Sequence, residues 1–310
     1  MHLWWGPLLM AFCHLLRSTD LFFRVGAITA LPVTILIMWE HVINTVVLLP
    51  VIWRLRGRYR QVAWQDWGLF VLIGWGASAG GILCFTQAFK YMNPALVILL
   101  QKLQPLVTIT LGMVLLRERF RPSFYGWSAL AVASSYFVSF SLTNPFSGDW
   151  TRIGTGTVFA LLAVFFWGSG TVWGKLLLRR HDQVFILVNR FLLGSVFTVG
   201  LAWSVNPSLM AAEVFSPAGG ILGKVLYMAL LPGLLATGLF YFGLAHVNAA
   251  VASILELLFP LSSVLIMWGY FNQPLDGVQI GAAIVLFVCM GRITSPSMRS
   301  GPQEPRTSGA

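Results

Sequence analysis

The sequence predicts an all-α integral membrane protein, with ten transmembrane helices arranged as two inverted five-helix repeats. Three observations carry that prediction: apolar stretches of roughly a bilayer thickness, basic residues gathered in every second loop, and an internal repeat at a fixed offset. Of the 310 residues, 57% are hydrophobic and 10% charged, and mean hydropathy is +0.78. Soluble domains carry about 25% charged residues and alternate apolar stripes with charged faces. Here the apolar runs are unbroken, and several approach the roughly 20 residues that a helix needs to cross about 30 Å of hydrocarbon. The short alternating segments of a membrane barrel are not seen.

The spans are placed at 3–24, 27–53, 67–89, 93–116, 122–142, 153–178, 183–205, 221–245, 248–271 and 275–293. The first has neither a basic leading region nor a small-residue cleavage site, so it reads as a span and not as a removable signal. The second ends at the arginines of RLRGRYR, and the third holds GWGASAGG (74–81), small residues that let helices approach closely. The fourth holds Pro105 and ends at Arg117, Arg119 and Arg121, after which the fifth begins. The sixth, with GSG at 168–170, ends at Arg179 and Arg180, and the seventh holds Asn189 and Arg190. The eighth and ninth repeat the third and fourth, with Pro260 in the place of Pro105. The tenth stops before SPSMRSGPQEPRTSGA, whose Ser, Pro and Gly content predicts a disordered cytoplasmic tail over 295–310.

With the N-terminus inside, the loops after the second, fourth and sixth spans and the C-terminal end hold twelve Arg residues, against Lys90, Arg152 and Lys224 on the other face. That asymmetry places both termini in the cytoplasm and the chain in the cytoplasmic membrane. The net charge of +10 therefore marks topology and not nucleic-acid binding, which would need a basic stripe on a soluble face. Cys13, Cys84 and Cys289 fall in apolar segments without metal-ligand spacing, and read as small buried hydrophobes. No metal or cofactor is expected. No GxxxxGK[ST] is present, which argues against an ATP-driven pump.

Residues 85–138 overlay residues 240–293 at a constant offset of 155, as from Pro105 to Pro260. Phe85 meets Phe240, Asn93 meets Asn248, Gln101 meets Glu256 and Gly126 meets Gly281. Two halves follow, 1–145 and 150–294. Five spans per half is an odd number, so the second half enters the membrane from the opposite side, the construction that lets two halves rock about a midplane site.

The segments FTQAFKYMNPALVILLQKLQPLVTITLGMVLLRERF and YFGLAHVNAAVASILELLFPLSSVLIMWGYFNQPL, each followed by a glycine, resemble the EamA-type permeases of the drug/metabolite transporter superfamily. FWGSGTVWGK resembles that family's repeat-opening helix. The first helix departs from it, carrying Arg17, Asp20 and Arg24 where a Trp-Gly pair is expected, and NQPL lacks the Glu118 of LRERF. The resemblance implies ten helices and alternating-access transport of metabolites, export of amino acids and related compounds being the commonest theme.

Ionisable groups inside spans are expensive and are candidate site residues by default. Asp20 lies on one helix face with Arg17 and Arg24 and neutralises either one, as a cavity group or a self-contained cluster. Glu40, near His41 and Asn44, takes up a proton, pairs a solute amine, or forms a structural pair with Arg190 or Arg17. Gln101 and Glu256 each stand four residues before a proline, Pro105 and Pro260, where a kink frees a carbonyl; the alternative is that they only repair the broken helix. Lys102 snorkels or pairs. Asn189 and Arg190 sit mid-span, with Arg190 holding an anionic solute or pairing with Glu256 or Glu40. Trp167 and Tyr241 are candidate cavity aromatics.

The expected function is secondary transport of a small polar metabolite such as an amino acid, coupled to protons or driven by the solute's own gradient. Partners are the solute, the bilayer and, as a candidate, a second copy of the chain. The chain is not expected to be an enzyme. A membrane enzyme acting on lipid-linked substrates would need clustered His and Asp in loops, and the five histidines are scattered. A non-transporting assembly or sensor protein is the other alternative.

Overall fold

The computed structural model describes residues 5–92, 94–143, 150–205, 207, 221–259, 261, 262, 265, 268 and 275–295. The first predicted span is two helices, α1 (Trp5–Ser18) and α2 (Asp20–Ala30), which meet at Thr19. The predicted boundary near residue 25 lies instead at 31–32. Leu31 is extended (φ −130°, ψ 144°) because the ring of Pro32 disfavours helical backbone before it. Helix α3 (Val33–Leu55) follows, then α4 (Trp64–Ala88), α5 (Pro94–Gln101), α6 (Gln104–Leu115) and α7 (Pro122–Phe140). The second half comprises α8 (Trp150–Leu177), α9 (Gln183–Val205), α10 (Ile221–His246), α11 (Ala249–Leu255) and α12 (Gly277–Thr294).

Among the described residues, 7 helices are long and apolar enough to cross a membrane, against ten predicted spans. The first predicted span is cut at Thr19 into pieces of 14 and 11 residues. Helix α7 is diluted by Ser123, Ser128, Ser134, Ser135 and Ser139. The ninth span breaks after Leu255, and Pro260, much of 263–274 and the tail from 296 lie outside the described residues. The outer surface is apolar: Leu49 and Trp53 of α3 and Ile284 and Phe287 of α12 are exposed, as suits a lipid-facing surface.

The repeat is visible in the backbone. Lys102 N–H donates to Leu99 O and Leu257 N–H to Ile254 O, both at 3.1 Å; these are one hydrogen bond at the 155-residue offset. The same offset carries Gly74–Gly80, inside a π-helical stretch of α4, onto Ala229–Leu235, the π-helical stretch of α10. The second holds Pro232, which cannot donate to the helix, and an inserted residue accommodates the break. Helix contacts also survive exchange of the halves. α1 packs on the end of α10 as the end of α4 packs on α8, while α3 packs on α9 and α7 on α12.

Close approach of α4 and α8 depends on Gly170, where an added Cβ would lie 2.2 Å from the Ala77 Cβ. Overpacking of this kind costs about 1–3 kcal/mol. Gly170→Ala is expected to lower the thermal unfolding midpoint in detergent. Gly154→Ala, where nothing lies within 4 Å, should not; equal midpoints for the two variants would refute the contact.

Candidate functional site

Between the halves lies a cavity of about 200 Å³. Both π-helical stretches reach it, through Ala77 and Ser78 on one side and Pro232 and Gly233 on the other. A π turn leaves carbonyls without their helical partners, and Ala77 O accepts from Arg190 Nη2 at 3.1 Å.

Asp20, Arg24 and Glu40 form one charge network on the cavity wall. Arg24, 2% exposed, donates from Nε and Nη2 to the two Asp20 oxygens at 2.5 and 2.9 Å. Its Nη2 also donates to Glu40 Oε2 at 3.1 Å, and its Nη1 to Thr86 Oγ1 at 3.2 Å. Glu40 Oε1 stands 3.0 Å from Nη1, an ion-pair contact without hydrogen-bond alignment. Asp20 thus neutralises Arg24 and not Arg17, and the expected pairing of Glu40 with Arg190 or Arg17 is replaced by Arg24. His41 lies below, its Nε2 3.0 Å from Ser78 Oγ and its Nδ1 2.9 Å from Ile37 O.

The expected break before Pro105 is present, since α5 ends at Gln101 and Pro105 sits in the first turn of α6. Gln101 Nε2 donates to Ala160 O at 3.1 Å, while its Oε1 is buried without a partner. Lys102 is 4% exposed and does not snorkel, and among the described residues it meets no carboxylate. Its ammonium donates to Ser135 O, Ser135 Oγ and Ser139 Oγ at 2.6, 2.7 and 2.9 Å. Gln104 Nε2 donates to Glu256 Oε2, so polar groups beside the two breaks meet across the halves. Pro260 itself lies outside the described residues.

Arg190 does not pair with Glu256 or Glu40. Its Nη1 donates to the Tyr241 hydroxyl at 3.1 Å, and its buried Nε has no partner among the described residues. Tyr241 is fully buried and acts behind the wall. Asn189 also turns away from the cavity, donating to Phe185 O at 2.8 Å. Trp167 does line it, 5.0 Å from the ring of Phe85. Arg17 lines it too, its guanidinium 5.1 Å over the Phe240 ring. Sequence reading passed over Gln104, Thr86 and the Ser135–Ser139 cradle. Two serines four apart on an apolar helix were the available signal for the cradle; Thr86, 62 residues from Arg24, carried none.

At one end of the bundle, polar ties join the halves. Asp66 accepts from Arg180 Nη1 at 2.8 Å and lies 2.9 Å from His181 Nε2, and Arg58 pairs with Asp182. Arg117, at φ 57°, turns the chain so that Glu118 meets the start of α11. There it accepts from the N–H groups of Ala249 and Ala250 at 2.8 and 3.2 Å, a carboxylate at a helix N-terminus. Burial opposes the charge on Asp182, but the Phe185 N–H and the Arg58 guanidinium hold its carboxyl below the ordinary value. The stability it contributes is full above the unfolded value of about 3.9. It is lost as pH falls through the lower folded-state value. Asp182→Asn should remove this part of the acid-side decline in unfolding midpoint, by under about 1 kcal/mol for so exposed a pair; an unchanged decline would refute it.

Known proteins resemble this arrangement. The chain is 33% identical over 224 residues to "Riboflavin transporter ImpX" of Fusobacterium nucleatum subsp. nucleatum, covering 69% of this chain and 72% of the relative. A solved crystal structure shares its fold, with a TM-score of 0.74 over 93% of this chain and 98% of that one at 19% identity. The family model for EamA-like transporters matches residues 4–140 and again 154–291. With that match running twice through a multi-pass helical membrane protein, the chain belongs to the EamA-like transporter family.

Proposed function

We propose that the chain is a secondary transporter of flavins, with riboflavin the first solute to test, working by alternating access between two inverted five-helix halves, 1–145 and 150–294. It sits in the cytoplasmic membrane with ten spans and both termini inside. The observation that carries this reading is the cavity between the halves, where Gln101 and Glu256, equivalent in the repeat, both reach the lining. The flavin class comes from the relative's name. It agrees with a wall that combines Phe85, Trp167 and Phe240 with amide, carboxyl and guanidinium groups, partners for a flat heterocycle and a polyol chain. Rocking of the halves opens the end tied by Asp66, Glu118 and Asp182 and closes the other. Glu256 or Glu40, carboxyl groups on the cavity wall, carries the coupled proton.

Purified protein in liposomes, given riboflavin with an imposed proton gradient, is expected to show saturable flux that responds to the gradient. No flux above empty liposomes in either gradient direction would overturn the flavin reading. Flux indifferent to the gradient would overturn proton coupling.

A further inference from the structure

Resting on the transporter reading, we infer that the cavity contains an anion subsite between Arg17 and Arg190 and takes a solute that carries a carboxylate or phosphate. Four permanently or ordinarily cationic side chains line the cavity: Arg17, Arg24, Lys102 and Arg190. Two have no capacity to spare. Arg24 is engaged by Asp20, Glu40 and Thr86 around its whole fork. The three donors of Lys102 go to Ser135 and Ser139.

The other two are open. Among the described residues, Arg17 makes no hydrogen bond or ion pair, and its guanidinium lies over the face of Phe240. Arg190 spends one donor on Tyr241 and one on Ala77, and its Nε has none of the partners it needs. A guanidinium has five N–H donors in a fixed fork suited to planar oxyanions. Leaving one such fork unpaired and a second only partly engaged inside a membrane protein is costly unless something else meets them. Of the carboxylates on the cavity wall, Asp20 and Glu40 are taken by Arg24 and Glu256 is bound by Gln104, and none lies within ion-pair distance of Arg17 or Arg190. Over the whole wall, four cationic side chains stand against three carboxylates, a surplus of one that a monoanionic group on the solute would balance. Phe240, stacked under Arg17, supplies an apolar floor for the part of the solute that bears the anion.

The test compares solutes that differ in charge and share a ring. Binding of riboflavin, 10-carboxymethylflavin and flavin mononucleotide is followed by quenching of flavin fluorescence in wild type, Arg17→Gln, Arg190→Gln and Arg190→Lys. The expected result is that at least one anionic flavin binds about tenfold or more tightly than riboflavin, as charge-assisted bidentate contacts provide. Both Gln variants should bring that ratio close to one, and Arg190→Lys should keep part of it, which shows that the variants fold and that charge is what counts. Preference for the carboxylate or for the phosphate identifies which oxyanion the subsite fits. If riboflavin binds and neither anion binds more tightly, the subsite is overturned while flavin transport stands. If no flavin binds, the flavin reading fails, and the subsite is decided by thermal unfolding with 3-phenylpropionate against 3-phenylpropanol. Stabilisation by the acid alone, lost in Arg17→Gln and Arg190→Gln, upholds it, and no preference for the acid rejects it.

Discussion

Arg24→Met is expected to destabilise the protein by about 3–5 kcal/mol, because it strands two carboxylates in a low-dielectric wall. Arg24 is the only cation within ion-pair distance of Asp20 and Glu40 among the described residues. Their mutual repulsion, now offset by the guanidinium between them, would be uncompensated, and Thr86 Oγ1 would lose its donor. The triple variant Arg24→Met, Asp20→Asn, Glu40→Gln should recover most of the loss, since replacing a whole buried ionic network by neutral groups is often close to neutral. Thermal unfolding in detergent reads both. A single variant within about 1 kcal/mol of wild type would show that the network does not hold α2 against α3.

Glu256→Gln should cut riboflavin transport by roughly ten- to a hundredfold while leaving the unfolding midpoint nearly unchanged. The side chains have the same shape, so α11 and its contact with Gln104 survive with one partner reoriented. What disappears is the charge that Arg17 and Arg190 sense and the group able to carry a proton. A hydrogen bond to a charged group is worth about 1.5–3 kcal/mol, and each 1.4 kcal/mol is a factor of ten. Flux in liposomes with and without a pH gradient separates the two roles. A variant that still transports but ignores the gradient has lost coupling alone, and one with wild-type flux and gradient response would remove Glu256 from the mechanism.

The helix pattern was legible in the sequence to within a few residues for α4, α7–α10 and α12, because apolar length and the arginines that end the spans are local properties. It failed where local chemistry is subtle. The chain breaks at Thr19 within an apolar run, and Leu31 is extended because of the residue after it. Repeat equivalence predicted that Gln101 and Glu256 belong together, and both line the cavity. Nothing in the spacing foretold that Gln104 and not Gln101 would reach Glu256, or that the π-helical stretches would recur at the same offset.

Partner choice is where the two levels part. Solvent class, most span positions and the duplicated plan follow from composition and periodicity, since these depend on each segment's own transfer energy and on a constant offset, and the family resemblance rests on the repeated motifs. Which arginine meets which acid does not. Arg17, Arg24 and Arg190 are alike as residues in apolar segments; Asp20 was offered Arg17 or Arg24, Glu40 was offered Arg190 or Arg17, and Arg24, the actual partner of Glu40, was not among the arginines offered to it. Only the packing of α2 on α3 gives Arg24 to Glu40 across 16 residues of chain, and only that of α9 on α10 sets Arg190 against Tyr241 51 residues away, while Arg17 is left facing the cavity. Ion pairs act over a few ångströms, and that distance is decided by how helices remote in sequence approach one another.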